Sequence, residues 1–146
     1  MQPLQKACLQ VNTDLNALTE VLSWFDQFNC PPISYQTWLK CQLALAEGFT
    51  NAVRHAHRGQ SRQLMIELEV VMYLEKIEIR IWDQGAPFDL DQTLQKMPDR
   101  EAEGGRGIPL MRRIADVLSY TRAADGRNCL LIVKQYRSTE DSLPYC

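Results

Sequence analysis

Leu64-Met65-Ile66-Glu67-Leu68-Glu69-Val70-Val71, a short connection through Glu75, and Ile77-Glu78-Ile79-Arg80-Ile81-Trp82-Asp83-Gln84-Gly85 read together as one β-hairpin. Leu64, Ile66, Leu68 and Val70 alternate with Met65, Glu67, Glu69 and Val71, the two-residue repeat of a half-buried strand. Ile77, Ile79 and Ile81 take one face of the second strand, and Glu78, Arg80 and Trp82 take the other. Continuing that phase by one step puts Asp83 inward with the isoleucines. A buried carboxylate requires hydrogen-bond donors to offset its desolvation. The exocyclic amino group of adenine is one such donor, and Gly85 leaves a flat base room to approach the backbone. In isolation, an Asp followed by a Gly is an ordinary turn signal.

On the N-terminal side, residues 6–13 hold an apolar-rich stretch that suits an edge strand. Asp14 stands at a helix N-cap position, and Leu15, Leu18, Val21, Leu22 and Phe25 recur at helical spacing, predicting a first helix that ends near Asn29. Cys30-Pro31-Pro32 breaks it. Ser34 caps a second, longer helix running to about His57, before Gly59. On the C-terminal side, residues 84–105 are rich in Gly, Pro and charge, with one helical turn near 90–94, and read as a long functional loop. A third helix is expected over 108–117, with Leu110, Met111, Ile114 and Val117 on its apolar side. Strands over 118–123 and 129–135 follow, joined across Asp125-Gly126. The tail beyond Arg137, 138–146, is expected to fray. The elements add up to an α+β fold: a two-layer α/β sandwich whose mostly antiparallel sheet is covered by about three helices on one face.

Two further clusters carry chemistry. On the second helix, in Glu47-Gly48-Phe49-Thr50-Asn51-Ala52-Val53-Arg54-His55, the residues Glu47, Asn51 and His55 project along one side. Leu45, Phe49, Ala52, Val53 and Ala56 project along the other. An Asn oxygen suits Mg²⁺, which keeps water and phosphate oxygens in the rest of its octahedron. A Glu one turn away can accept a proton from an attacking hydroxyl. Alone, such a stripe is ordinarily a solvated helix face. Before the third helix stands Gly104-Gly105-Arg106-Gly107-Ile108-Pro109. Its glycines let backbone N–H groups converge on phosphate oxygens, the helix N-terminus adds partial positive charge, and Arg106 adds a charge-assisted contact. Pro109 fits a first helical turn. No Lys-Ser or Lys-Thr follows the glycines, so this is not a P-loop. His55 and His57 lie about 200° apart around a helix and cannot readily share one metal ion, which leaves them structural or solvent roles.

Bulk properties narrow the classes. With 146 residues the chain has room for one domain, 1–146, and one core. It is 45% hydrophobic and 23% charged, with no apolar run near the ~20 residues of a membrane span. The opening Met1-Gln2-Pro3-Leu4-Gln5-Lys6 lacks a secretory layout, and a cytoplasmic location is expected. Five scattered cysteines without a C-x-x-C pair read as reduced thiols packed as small hydrophobes. A formal charge of −2 provides no basic stripe for nucleic acid.

The order of the three clusters is what makes them specific. An E-x-x-x-N helix, a strand ending in D-x-G and a Gly-rich loop opening a helix, within about 65 residues, resemble the ATP-binding GHKL superfamily of gyrase, heat-shock-type chaperones, histidine kinases and mismatch-repair proteins, over nearly the whole chain. The form is most similar to the anti-sigma-factor serine/threonine protein kinases, through residues 47–55 and Gly104-Gly105-Arg106-Gly107. The resemblance implies the Bergerat-type ATP-binding fold, with ATP and Mg²⁺ as cofactors. It implies Glu47 as catalytic base, Asn51 as the Mg²⁺ ligand, Asp83 as adenine reader, and Gly105 and Gly107 as phosphate-loop glycines. The nucleotide-contacting set is then Asn51, His55, Asp83, Gly85, Gly104, Gly105, Arg106, Gly107 and Ile108, with 89–103 as a lid. The implied activity is phosphorylation of a STAS-type anti-sigma-factor antagonist in a partner-switching pathway of transcription regulation, with a sigma factor and a homodimer as further implied partners, and neither nucleic acid nor membrane. Pro87 stands where many members have a second glycine and stiffens the lid's root, and Pro109 where a bulky residue is usual. Competing expectations are a binding module without phosphotransfer and a detached histidine-kinase-type catalytic domain; the latter would need a phosphoacceptor helix hairpin, for which 146 residues leave no space.

Overall fold

The computed structural model describes residues 2–57, 59, 61, 63–85 and 107–136. Along these the chain forms β1 (Gln5–Asn12), a 3₁₀ turn (Leu15–Ala17), α1 (Leu18–Phe25), a second 3₁₀ turn (Asp26–Phe28), α2 (Tyr35–Asn51) and a π-helical turn (Ala52–Ala56). Then come β2 (Met65–Met72), β3 (Lys76–Asp83), α3 (Gly107–Ile114), β4 (Val117–Arg122) and β5 (Asn128–Gln135). The five strands make one sheet in the order β1-β2-β3-β5-β4, every neighbouring pair antiparallel. The expected α+β sandwich is the fold observed, and β1 is the expected edge strand.

The alternation read in the hairpin sets the two faces of the sheet. Ile66, Leu68 and Val70 of β2, Ile77, Ile79 and Ile81 of β3, and Leu130 and Ile132 of β5 are buried in one core with Phe25 of α1, Leu45 and Phe49 of α2 and Met111 of α3. Each such side chain contributes about 1.5–3 kcal/mol by leaving water. The opposite face is charged: Lys6 pairs with Glu69 at 3.6 Å, Glu69 with Arg80 at 3.8 Å, and Glu78 with both Arg80 at 3.0 Å and Lys76 at 3.1 Å. These pairs are partly exposed and individually weak. Their effect is to keep that face hydrated.

Local signals explain the element ends. The Ser34 hydroxyl accepts from the N–H of Thr37 at 3.1 Å, and α2 begins there. Asp14 caps the first 3₁₀ turn by accepting from Asn16 at 2.9 Å. Gly126 takes φ +88°, the left-handed conformation of the β4–β5 turn, as the Asp-Gly pair predicts.

Three expectations need correction. The second helix is α-helical only to Asn51 and widens into the π-helical turn before His57. The third helix stops at Ile114 and does not reach Val117, which opens β4 and is exposed. Asp116 explains this, because its N–H donates to Val133 at 2.8 Å and its carboxylate accepts from the N–H of Gln135 at 2.6 Å, so sheet pairing takes the chain before another helical turn can form. The last strand begins at Asn128, one residue earlier than expected. The helical turn at 90–94 and the fraying of 138–146 lie outside the described residues.

Cys8, Cys30, Cys41 and Cys129 are free thiols. Burial pushes the Cys41 thiol up to about 12 and Cys129 to about 11, so both pack as neutral hydrophobes. Among the described residues no helix is long and apolar enough to cross a membrane.

Candidate functional site

Helix α2 is drawn tightly onto the sheet by Gly48, whose absent Cβ would stand 2.5 Å from Ile81 Cδ1 and 3.1 Å from Leu130 Cδ2. This close approach fixes the residue before it. Glu47 meets the start of α3, where a Cβ on Gly107 would stand 2.9 Å from Glu47 Oε2. The first cluster and the last glycine of the third are therefore in contact, and a side chain at 107 would push the Glu47 carboxylate from its present position. Gly107 and Ile108 are both buried, and Pro109 lies in the first turn of α3, as its missing N–H allows.

Farther along the same helix the chain meets the second cluster. His57 is 2% exposed. Its Nε2 accepts from the backbone N–H of Gln84 at 2.9 Å, so the ring proton resides on Nδ1, which donates to Thr13 Oγ1 at 2.6 Å. Thr13 in turn donates to the Leu64 carbonyl at 2.5 Å. This relay ties the ends of β1, the helix and β3 together. It confirms a structural role for His57, and burial lowers its pKa, with Asp83 acting in the opposite sense. Asn51, at the last position of α2, lies along the helix between the Glu47–Gly107 and His57–Gln84 junctions and is 9% exposed. Of the stripe's described members, Asn51 is thus buried and Glu47 is half-buried against the start of α3. The stripe's third member, His55, lies in the π-helical turn, and its side chain is outside the described residues.

Asp83 ends β3 pointing inward, as the phase of the isoleucines predicts, and is 2% exposed. Its Oδ1 accepts from the Gly85 N–H at 3.0 Å and from Asn128 Nδ2 at 2.9 Å, and its Oδ2 accepts from the Tyr120 hydroxyl at 2.9 Å. Asn128 Nδ2 also donates to the Gly85 carbonyl at 2.9 Å. The desolvated carboxylate is therefore held by three protein donors. Burial, followed by the neighbouring Asp83 charge, raises the Tyr120 pKa, which keeps that hydroxyl a donor. Asn128 Oδ1 is buried with no hydrogen-bond partner among the described residues. Such an atom costs free energy unless something else donates to it, and an amino group is a group of the right kind.

Tyr120 and Asn128 were not singled out from the sequence. Asn128 carried a usable signal, since it stands two and four residues before Leu130 and Ile132, in phase with the buried face of β5. Gly104, Gly105 and Arg106 of the Gly-rich loop, and the lid 89–103 with Pro87, lie outside the described residues.

A family model described as Histidine kinase-like ATPase domain matches residues 11–134 of the chain. The serine-protein kinase RsbW of Listeria monocytogenes serotype 4a (strain HCC23) is 33% identical over 91 residues, 57% of each chain. That of Bacillus pumilus (strain SAFR-032) is 32% identical over 84 residues, 51% of this chain and 52% of that protein. The matched region thus spans only a little over half the length of these relatives. Among solved structures, the RsbU and RsbW domains of Rv1364c from Mycobacterium tuberculosis superpose with a TM-score of 0.66 at 12% identity, covering 93% of this chain and 34% of that one. The Acinetobacter baumannii histidine kinase AdeS gives 0.51 at 13% identity, covering 92% and 70%. At such identities these two speak for the fold alone.

Proposed function

The chain belongs to the histidine kinase-like ATPase domain family, and we propose that its residues 1–146 form a single ATP-dependent serine/threonine protein kinase domain of the anti-sigma-factor regulatory type. The observation that carries this reading is the contact of Glu47 with Gly107, which sets a carboxylate against the first residue of α3, where the Gly-rich loop ends. The RsbW relatives, named serine-protein kinases, support the same activity. The acceptor is a serine or threonine hydroxyl on an anti-sigma-factor antagonist, and a sigma factor and a second copy of the chain complete the proposed partners.

In this mechanism Asp83 and Gly85 receive the adenine, and the N-terminus of α3 with Gly104, Gly105, Arg106 and Gly107 faces the phosphates. His55 and Ile108 complete the proposed nucleotide contacts. Glu47 accepts the proton of the incoming hydroxyl as its oxygen bonds to the γ-phosphorus, and the bond between that phosphorus and the β–γ bridging oxygen breaks to release ADP. Asn51 is the residue that would hold Mg²⁺, and such an ion would neutralise charge on the phosphate oxygens. The segment 89–103 excludes water that would otherwise intercept the phosphoryl group.

Incubation with radiolabelled ATP and candidate antagonist proteins from the same genome tests the proposal. Glu47→Ala should abolish label transfer, a loss of at least about 10²-fold for a general base, while nucleotide affinity stays nearly intact. Equal labelling by wild type and variant would remove Glu47 from the role of base, and no labelling by either while ATP is still bound would leave a binding module that transfers no phosphate.

A further inference from the structure

The hydrogen-bond inventory around Asp83 closes on the donor side and stays open on the acceptor side. Both N–H bonds of the Asn128 amide are spent, one on Asp83 Oδ1 and one on the Gly85 carbonyl, which also fixes which end of the amide is oxygen. The Gly85 N–H and the Tyr120 hydroxyl are spent on the same carboxylate. A carboxylate oxygen offers about two lone-pair directions. Asp83 Oδ1 has filled both with these partners, whereas Oδ2 has one such bond, and Asn128 Oδ1 has none among the described residues. Asn128 is 0% exposed and stands directly across the sheet from Asp83 in the β3–β5 register. The two open acceptors thus belong to neighbouring side chains on adjacent strands.

We infer that Asn128 is a second base-reading residue, resting on the nucleotide reading above: its Oδ1 accepts one N–H of an exocyclic amino group while Asp83 Oδ2 accepts the other. An acceptor-only pair selects a base edge that carries two donors. A base with a carbonyl oxygen at that position, as in guanine or hypoxanthine, would bring a third acceptor against a carboxylate and an amide oxygen, leaving Asn128 Oδ1 and the second lone-pair direction of Asp83 Oδ2 without a donor. Discrimination by unpaired buried groups is far stronger than discrimination by shape. The pair therefore selects a base with an exocyclic amino group at that position, as in adenine, over one with a carbonyl oxygen there.

The test is titration calorimetry on the full chain with Mg-ATP and Mg-N6-methyl-ATP, which keeps one N–H and loses the other. Wild type should bind the methylated nucleotide about tenfold more weakly, the worth of one hydrogen bond to a buried acceptor. In Asn128→Ala and Asn128→Ser the ratio of the two affinities should fall to about one, even where both affinities drop through the disturbed Asp83. A ratio that stays the same after the substitution overturns the inference, because it makes Asn128 a purely structural partner of Asp83. Should neither variant fold, wild type alone still decides: equal affinity for the two nucleotides overturns the assignment. Wild type that takes up no adenine nucleotide at all sinks the nucleotide reading itself, a failure distinct from both.

Discussion

Two buried polar residues, His57 and Asp83, show how far single side chains constrain the site. The neutral His57 ring accepts from Gln84 and donates to Thr13, so a second ring proton would set an N–H against the N–H of Gln84. Burial lowers the His57 pKa from the ordinary 6.5, and the nearby Asp83 charge offsets this only in part. Between 6.5 and the lowered folded value, the unfolded chain binds the proton that the folded chain refuses. Stability from this residue is thus complete above about pH 7 and declines as pH falls through that window. Urea unfolding at about pH 7.5 and 5.5 should show a drop for wild type that His57→Gln reduces; an equal drop in both proteins would assign the acid sensitivity to carboxylates alone. Asp83 was legible because it keeps step with three isoleucines. Asn128 obeys the same rule on β5, but a polar residue beside an Asp-Gly turn also reads as loop, and only the cross-strand pairing with Asp83 decides between the two.

At the level of elements, α2 does most of the positioning, and at Gly48 it comes close to the side chains of β3 and β5. Alanine at 48 would gain up to about 1 kcal/mol in helix propensity. Its Cβ would also stand 2.5 Å from Ile81 Cδ1 and 3.1 Å from Leu130 Cδ2, in a core where Ile81 is 1% and Leu130 3% exposed. Overpacking costs about 1–3 kcal/mol, so the clash should win and Gly48→Ala should lose about 1 kcal/mol of stability in chemical denaturation. Phosphotransfer should fall with it, because lifting α2 also lifts Glu47 from Gly107; a variant as stable and active as wild type would refute the tight-approach account. The strands and α2 were readable because their signals are local: alternation, a Ser34 cap, a Gly126 turn. The end of α3 was not, because it is set by the bonds of Asp116 to Val133 and Gln135, partners about 20 residues away in the chain. The widening of α2 at Ala52 has no such local mark in Ala52-Val53-Arg54-His55-Ala56.

On the scale of the whole molecule, the proposed nucleotide touches α2, β3, β5 and α3 at once, so its binding free energy is felt by the fold as a unit. A ligand at about 100 times its dissociation constant stabilises the folded state by about 2.7 kcal/mol. For a domain of 146 residues this corresponds to a melting-temperature rise of about 10 °C, at roughly 4 °C per kcal/mol. Mg-ATP should produce that shift in wild type and an equal one in Glu47→Ala, because a base that acts on the acceptor hydroxyl contributes to transfer and not to nucleotide affinity. Mg-GTP at the same concentration should leave the melting temperature unchanged, since its carbonyl oxygen meets the open acceptors of Asp83 and Asn128. An equal shift with both nucleotides would show that the phosphates alone are bound, through the helix N-terminus, and that the buried Asp83 cluster serves only to close the end of the sheet.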